Sequence, residues 1–171
     1  MAGMSPVHLI LGDDEFLTER ARLQIQSAAA EESGPTGARP ELTKLKASEV
    51  SEGEILEATS PSLFGDSRVI IISDCERAGK EVVDIILRAC ANPAPGMTMV
   101  IIYSVTAKTL KKKKKQPELV AKLRKIAEVH EVFSLYPNEL GQWATREFSR
   151  HGVRPTPDVI HAVLELSLIH I

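Results

Sequence analysis

The run Val69-Ile70-Ile71-Ile72 offers apolar side chains to both faces of a strand, and it constrains the fold more than any other feature of the chain. Successive strand residues point to opposite faces, so a strand wetted on one side alternates polar and apolar residues. A run without that alternation must be covered on both sides. Residues 7–11 and 99–103 behave in the same way, and further strand patterns fit residues 42–45 and 129–133.

Helical patterns separate these strands. Asp13-Asp14 offer an N-cap for a helix over residues 15–30, and Ser51 and Glu54 have capping-box spacing for a helix that begins as early as Ser48 and ends near Ala58. Val82, Ile85, Ile86 and Ala89 fall on one helical face before the breaker NPAPG at 92–96, and Leu119, Leu123 and Ile126 mark another helix. Strand-helix alternation of this kind predicts an α/β fold: a parallel sheet with helices on both faces, placed on alternate sides by right-handed crossovers. The pattern changes at Tyr136-Pro137. Asn138 can cap a helix through Leu140, Trp143 and Phe148, and Thr156 another through Val159, Ile160, Val163 and Leu164. An α/β domain over residues 1–136 is therefore expected, followed by the beginning of a small helical domain over 137–171. Two helices are too few to bury their own faces and LELSLIHI carries no C-cap. These features lead to the expectation of a truncated domain, with residues 167–171 not native sequence; the alternative is a short helical appendage docked on the sheet.

At 171 residues and 43% hydrophobic, the chain can bury a core without staples. A net charge of -2 and a pI near 6.2 argue against wholesale coating of nucleic acid. Cys75 and Cys90 lie in apolar elements, where buried free thiols are expected. No signal-peptide pattern and no apolar window of about 18 residues is found, so a cytoplasmic protein without a membrane partner is expected.

A parallel sheet with a helical appendage suggests a nucleotide-dependent ATPase, and the first strand-to-helix turn tests that idea. A phosphate loop needs several glycines, a Lys for the β and γ oxygens and a hydroxyl for magnesium. The turn reads LILGDDEF, with one glycine, no Lys, and carboxylates at Asp13, Asp14 and Glu15 that repel a triphosphate. Asp74 follows the third strand as a magnesium-binding Asp would, yet it has no phosphate loop to serve. The five histidines show no ligand spacing with Cys or carboxylates, and His8 and His130 are expected as core or edge residues. No nucleophile elbow is present. No catalytic residue, metal or cofactor is expected.

Two segments remain. Leu63-Phe64 sits among turn residues, Pro61 before it and Gly65-Asp66 after it, in a chain with only four Phe. Lys108, Lys111, Lys112, Lys113, Lys114 and Lys115 put six lysines within eight residues. The lysines fit a solvated loop, or an electrostatic patch for DNA phosphates that reads no sequence. No aromatic residue interleaves them, which disfavours base stacking.

VHLILGDDEFLTERA, ATSPSLFGDSRVIIISD, MVIIYSVTAKTLKKKKK and ELGQWATREFSRHGVRPTPDVIHAVLEL occur in the order found in the delta subunit of the bacterial DNA polymerase III clamp loader. The chain resembles that family from Val7 to about Leu166. The resemblance implies an AAA+-like (RecA-like) first domain without a working ATP site, then a helical lid. It also implies a collar domain, absent here, that joins the gamma/tau and delta prime subunits. It implies that Leu63-Phe64, flanked by Ser62 and Gly65, is the plug that enters the hydrophobic pocket of the sliding clamp (the beta subunit) and helps open its ring for loading onto primed DNA. Contact with the DNA itself would be weak or indirect. By family the chain would be a subunit of a DNA-directed DNA polymerase, a nucleotidyltransferase, with no catalytic site of its own. The competing readings are a nucleotide-binding AAA+ ATPase with a degenerate loop and a DNA-binding module built on the lysines. Phe64 turned inward as a cap on the core is the alternative to the plug.

Overall fold

The structure, a computed structural model, describes residues 4–32, 39–61, 67–112 and 116–168. Five strands form its sheet: β1 (Val7–Gly12), β2 (Glu41–Lys46), β3 (Arg68–Ser73), β4 (Met97–Ser104) and β5 (Glu128–Val132). All pairings are parallel, in the order β2-β3-β4-β1-β5. The helices of this part are α1 (Glu15–Glu32), α2 (Glu52–Ala58), α3 (Lys80–Ala91), α4 (Ala107–Lys112) and α5 (Glu118–Leu123), with a 3-10 turn at Cys75–Arg77. Two further helices, α6 (Pro137–Arg150) and α7 (Pro157–Leu168), follow the sheet. The chain divides into two compact units, Met1–Phe133 and Ser134–Ile171.

Both faces of the sheet are covered, as the unalternating runs require. On one face Ile10, Val69, Ile71 and Val100 meet Ala21, Ile25 and Ala29 of α1. On the other, Leu9, Leu11, Ile70, Ile72, Met99 and Ile101 pack with Ile55 of α2, Ile85 and Ile86 of α3, and Leu119, Val120 and Leu123 of α5. The helices do not alternate sides. The step from β1 to β2 runs toward one edge, while those to β3, β4 and β5 all run back toward the other. A right-handed crossover therefore puts α1 alone on its face.

Local chemistry sets the helix starts. The Asp14 carboxylate accepts the Leu17 N–H at 2.8 Å and caps α1. Ser51 and Glu54 close the expected capping box, with Ser51 N–H donating to Glu54 Oε2 at 2.8 Å. α2 consequently begins at Glu52 and not at Ser48. α6 begins earlier than expected. Pro137 takes its first turn and Tyr136 the cap position, where the Glu139 carboxylate accepts the Tyr136 N–H at 2.9 Å; Asn138 is inside the helix. Ile126 falls in the turn that ends α5 and is 47% exposed, so it does not continue the buried face of Leu119 and Leu123. Among the described residues no helix is long and apolar enough to cross a membrane.

Gly12 pairs with Val132 across β1 and β5, and a Cβ on it would sit 2.0 Å from the Val132 carbonyl oxygen. Backbone cannot yield as a flexible side chain can, so Gly12→Ala should cost about 3 kcal/mol or more in urea unfolding. Gly53, in α2 with nothing within 4 Å of its Cβ position, is the control. Gly53→Ala should be neutral or stabilising by up to about 1 kcal/mol.

Cys75 and Cys90 are free and buried, as expected from their apolar settings. Burial drives both thiols upward in pKa, Cys90 to about 12 and Cys75 further, the latter reinforced by the Glu76 carboxylate. Thiolate is the reactive form. A disulfide reagent at neutral pH should therefore leave both cysteines unmodified in the native chain and titrate both after denaturation; rapid native labelling would contradict this burial.

Candidate functional site

In an open parallel sheet the ligand crevice lies beyond the carboxyl ends of the strands, where the connections diverge. Here that place lies between β1 and β4, whose following helices leave toward opposite faces. A cleft of about 890 Å³ occupies it, lined by Gly12 to Glu15, Thr18 and Glu19 after β1, Ser73, Asp74 and Glu76 after β3, and Tyr103 to Thr106 with Thr109 after β4. None of these residues is Lys or Arg, and six are acidic: Asp13, Asp14, Glu15, Glu19, Asp74 and Glu76.

Several of the carboxylates have local duties. Asp14 caps α1. Glu76 accepts the Ser104 N–H at 3.1 Å and lies 3.8 Å from Arg77 Nε. Glu19 pairs with the largely buried Arg22, whose hydrogen bond holds Glu19 below the usual carboxylate range. Asp74 adopts a left-handed backbone, φ 56°, at the entry to the 3-10 turn. The only glycine of the first turn is Gly12, and its lack of a Cβ is needed for the approach to Val132. The site thus has the position of a nucleotide pocket with the polarity reversed.

The lysine run begins beside this cleft. Its first part is helical and not a loop: the Thr106 hydroxyl accepts the Thr109 N–H at 3.0 Å, and Leu110, 9% exposed, anchors the turn in the core. A cap and one buried Leu outweigh the repulsion among the lysines there. Lys108 and Lys111 are solvent-exposed on α4 and Lys112 ends it. Lys113, Lys114 and Lys115 lie outside the described residues.

Ser62, Leu63, Phe64 and Gly65 also lie outside the described residues, but both flanks of the segment are defined. The Thr59 and Ser60 hydroxyls donate to the Ile55 and Leu56 carbonyls, each at 2.7 Å, and finish α2. Arg68, at the start of β3, donates to Glu41 Oε2 at 2.9 Å and to the Ala58 carbonyl at 3.2 Å. One guanidinium therefore ties β2, β3 and the end of α2 together. These anchors stand at the amino ends of the strands, the end of the sheet opposite the acidic cleft.

The fold also joins residues that no sequence spacing connects. Parallel register pairs His8 with Glu128, and Glu128 and His130, two apart on β5, point to the same face. His8 is 2% exposed, in keeping with a core histidine. Burial holds its imidazole below the usual value, opposed by the Glu128 charge and reinforced by His130. The one sequence signal for this grouping was the alternation Glu-Val-His within a strand.

No family model matches the chain and no curated protein aligns with it. Among solved structures, the DNA clamp loader delta protein of Bacillus subtilis superposes with a TM-score of 0.70, over 94% of this chain and 48% of its own, at 16% sequence identity. A DNA polymerase III gamma subunit-related protein of Thermotoga maritima gives a TM-score of 0.49, over 85% of this chain and 46% of its own, also at 16% identity. The chain spans about half the length of each. Its five-stranded parallel sheet, flanked by helices on both faces, has the fold of the Bacillus subtilis clamp loader delta protein.

Proposed function

We propose that this chain is the clamp-binding part of a delta-type clamp loader subunit in the bacterial DNA polymerase III holoenzyme. The observation that carries the reading is a clamp-loader delta fold over 94% of the chain whose nucleotide position holds carboxylates in place of a phosphate loop. An AAA+-like sheet without ATP chemistry fits a subunit that acts by binding. On this reading Leu63 and Phe64 enter the apolar pocket of the sliding clamp, with Ser62 and Gly65 shaping the turn, and help spring the ring for loading onto primed DNA. The Arg68 staple supports the role, because anchored flanks lower the ordering cost of presenting two large apolar side chains. The gamma/tau and delta prime subunits would join through a collar beyond this chain and supply the ATP hydrolysis, all in the cytoplasm. The polymerase's nucleotidyl transfer belongs to other subunits. Contact of Lys108 and Lys111 to Lys115 with DNA would be weak and salt-dependent.

Two measurements test this. Leu63→Ala combined with Phe64→Ala should weaken clamp binding in surface plasmon resonance by at least about 2 kcal/mol, roughly thirtyfold, as for a central interface anchor. The same variant should unfold in urea within about 0.5 kcal/mol of the parent, the usual effect of a surface change. Early unfolding would place Phe64 in the core, and unchanged clamp affinity would remove the plug role.

Millimolar ATP with magnesium should leave the melting temperature unmoved. A ligand at a hundred times its dissociation constant adds about 2.7 kcal/mol to native stability, a shift that thermal unfolding resolves easily. A clear rise that Asp74→Asn abolishes would favour the nucleotide-dependent ATPase instead.

A further inference from the structure

At the amino ends of the strands, on the α1 face of the sheet, β1 and the edge strand β5 bring two imidazoles and a carboxylate to one point. His8 Nδ1 lies 3.1 Å from His130 Nε2. The Glu128 carboxylate lies 3.6 Å from His8 Nδ1 through Oε2 and 3.9 Å from His130 Nε2 through Oε1. Both carboxylate separations exceed hydrogen-bond length, so Glu128 faces the imidazole pair without bonding to either ring. The two ring nitrogens share a hydrogen bond, and one donor atom from each of the three residues lies within 4.8 Å of the others, near the spacing of ligands around one ion. Donor atoms about 2.1 Å from a tetrahedral ion stand roughly 3.4 Å from one another.

We propose that His8, Glu128 and His130 bind a divalent transition-metal ion of the zinc type. Two imidazoles and one carboxylate suit Zn2+, Co2+, Ni2+ or Cu2+, whereas Mg2+ and Ca2+ require oxygen donors. Nδ1 is the His8 nitrogen that faces both His130 and Glu128. The His130 and Glu128 side chains are 27% and 53% exposed, so an ion can enter from solvent and a fourth position remains for water. The ion would clasp β5 to β1 at the end of the sheet away from the acidic cleft, and the inference does not depend on the clamp-loader reading.

The test is a titration of the full chain with Co2+, read by its visible d–d bands and by displacement with Zn2+. One ion per chain is expected, without a thiolate charge-transfer band because both cysteines are buried. The half-exposed ligands are the ones to change, since replacing them spares the core. Glu128→Gln and His130→Gln should each lower affinity at least about tenfold, whereas His151→Gln and His161→Gln should leave it unchanged. The parent should melt higher in Zn2+, and His130→Gln should not. Absence of visible bands and of a Zn2+ shift in the parent would overturn the proposal, as would full-strength binding by both His130→Gln and Glu128→Gln.

Discussion

The structure depends on β1, the strand that must be buried on every side. All six of its residues, Val7 to Gly12, are shielded from solvent, with β4 bonded along one edge and β5 along the other. A strand in that position can expose no polar side chain without partners, and its backbone must find every hydrogen bond within the sheet. Its sequence meets both demands, with aliphatic residues at nearly every place and a glycine where β5 comes too close for a side chain. His8 is the exception, and it is also where a second histidine and a carboxylate converge.

The same strand fixes what the carboxyl end of the sheet can do. Gly12 satisfies a packing constraint, and Asp14 satisfies the first turn of α1. Two residues of the first turn are thus committed to capping and close approach. The acidic side chains around them oppose a triphosphate further. The crevice at the carboxyl ends is present, and the described side chains that line it are predominantly acidic and include no Lys or Arg.

Most of this was legible in the sequence because it rests on periodicity and caps. The buried strands, the Ser51-Glu54 box and the helical face of α3 are local patterns, and each appears where the residues place it. What was not legible arises from competition or from distance. The turn at α4 was hidden because half of its six residues are lysines, although Thr106 and Leu110 decide its structure. The cap of α6 was misplaced because Asn138 is a good cap residue and Pro137 is a better first-turn residue. The placement of α1 alone on its face follows from strand order, which periodicity does not encode. His8 and His130 are separated by most of the first unit, and only parallel register joins them. For the loop candidates, Ser62 to Gly65, the sequence and the resemblance it carries remain the basis of the reading.

The two ends of the sheet have different physical characters, and β3 spans them. Its six residues extend about 20 Å from Arg68, which ties the end of α2 to β2, to Ser73, next to the left-handed Asp74. The middle of β3, Val69 to Ile72, is buried against both helical layers, so it cannot slide without disturbing two cores at once. On the proposed reading, the segment that carries the apolar pair is therefore followed by a strand that is fixed on both faces. Control of clamp binding by ATP would then have to act on access to Leu63 and Phe64, through the bodies of neighbouring subunits, rather than through a conformational change that starts inside this domain.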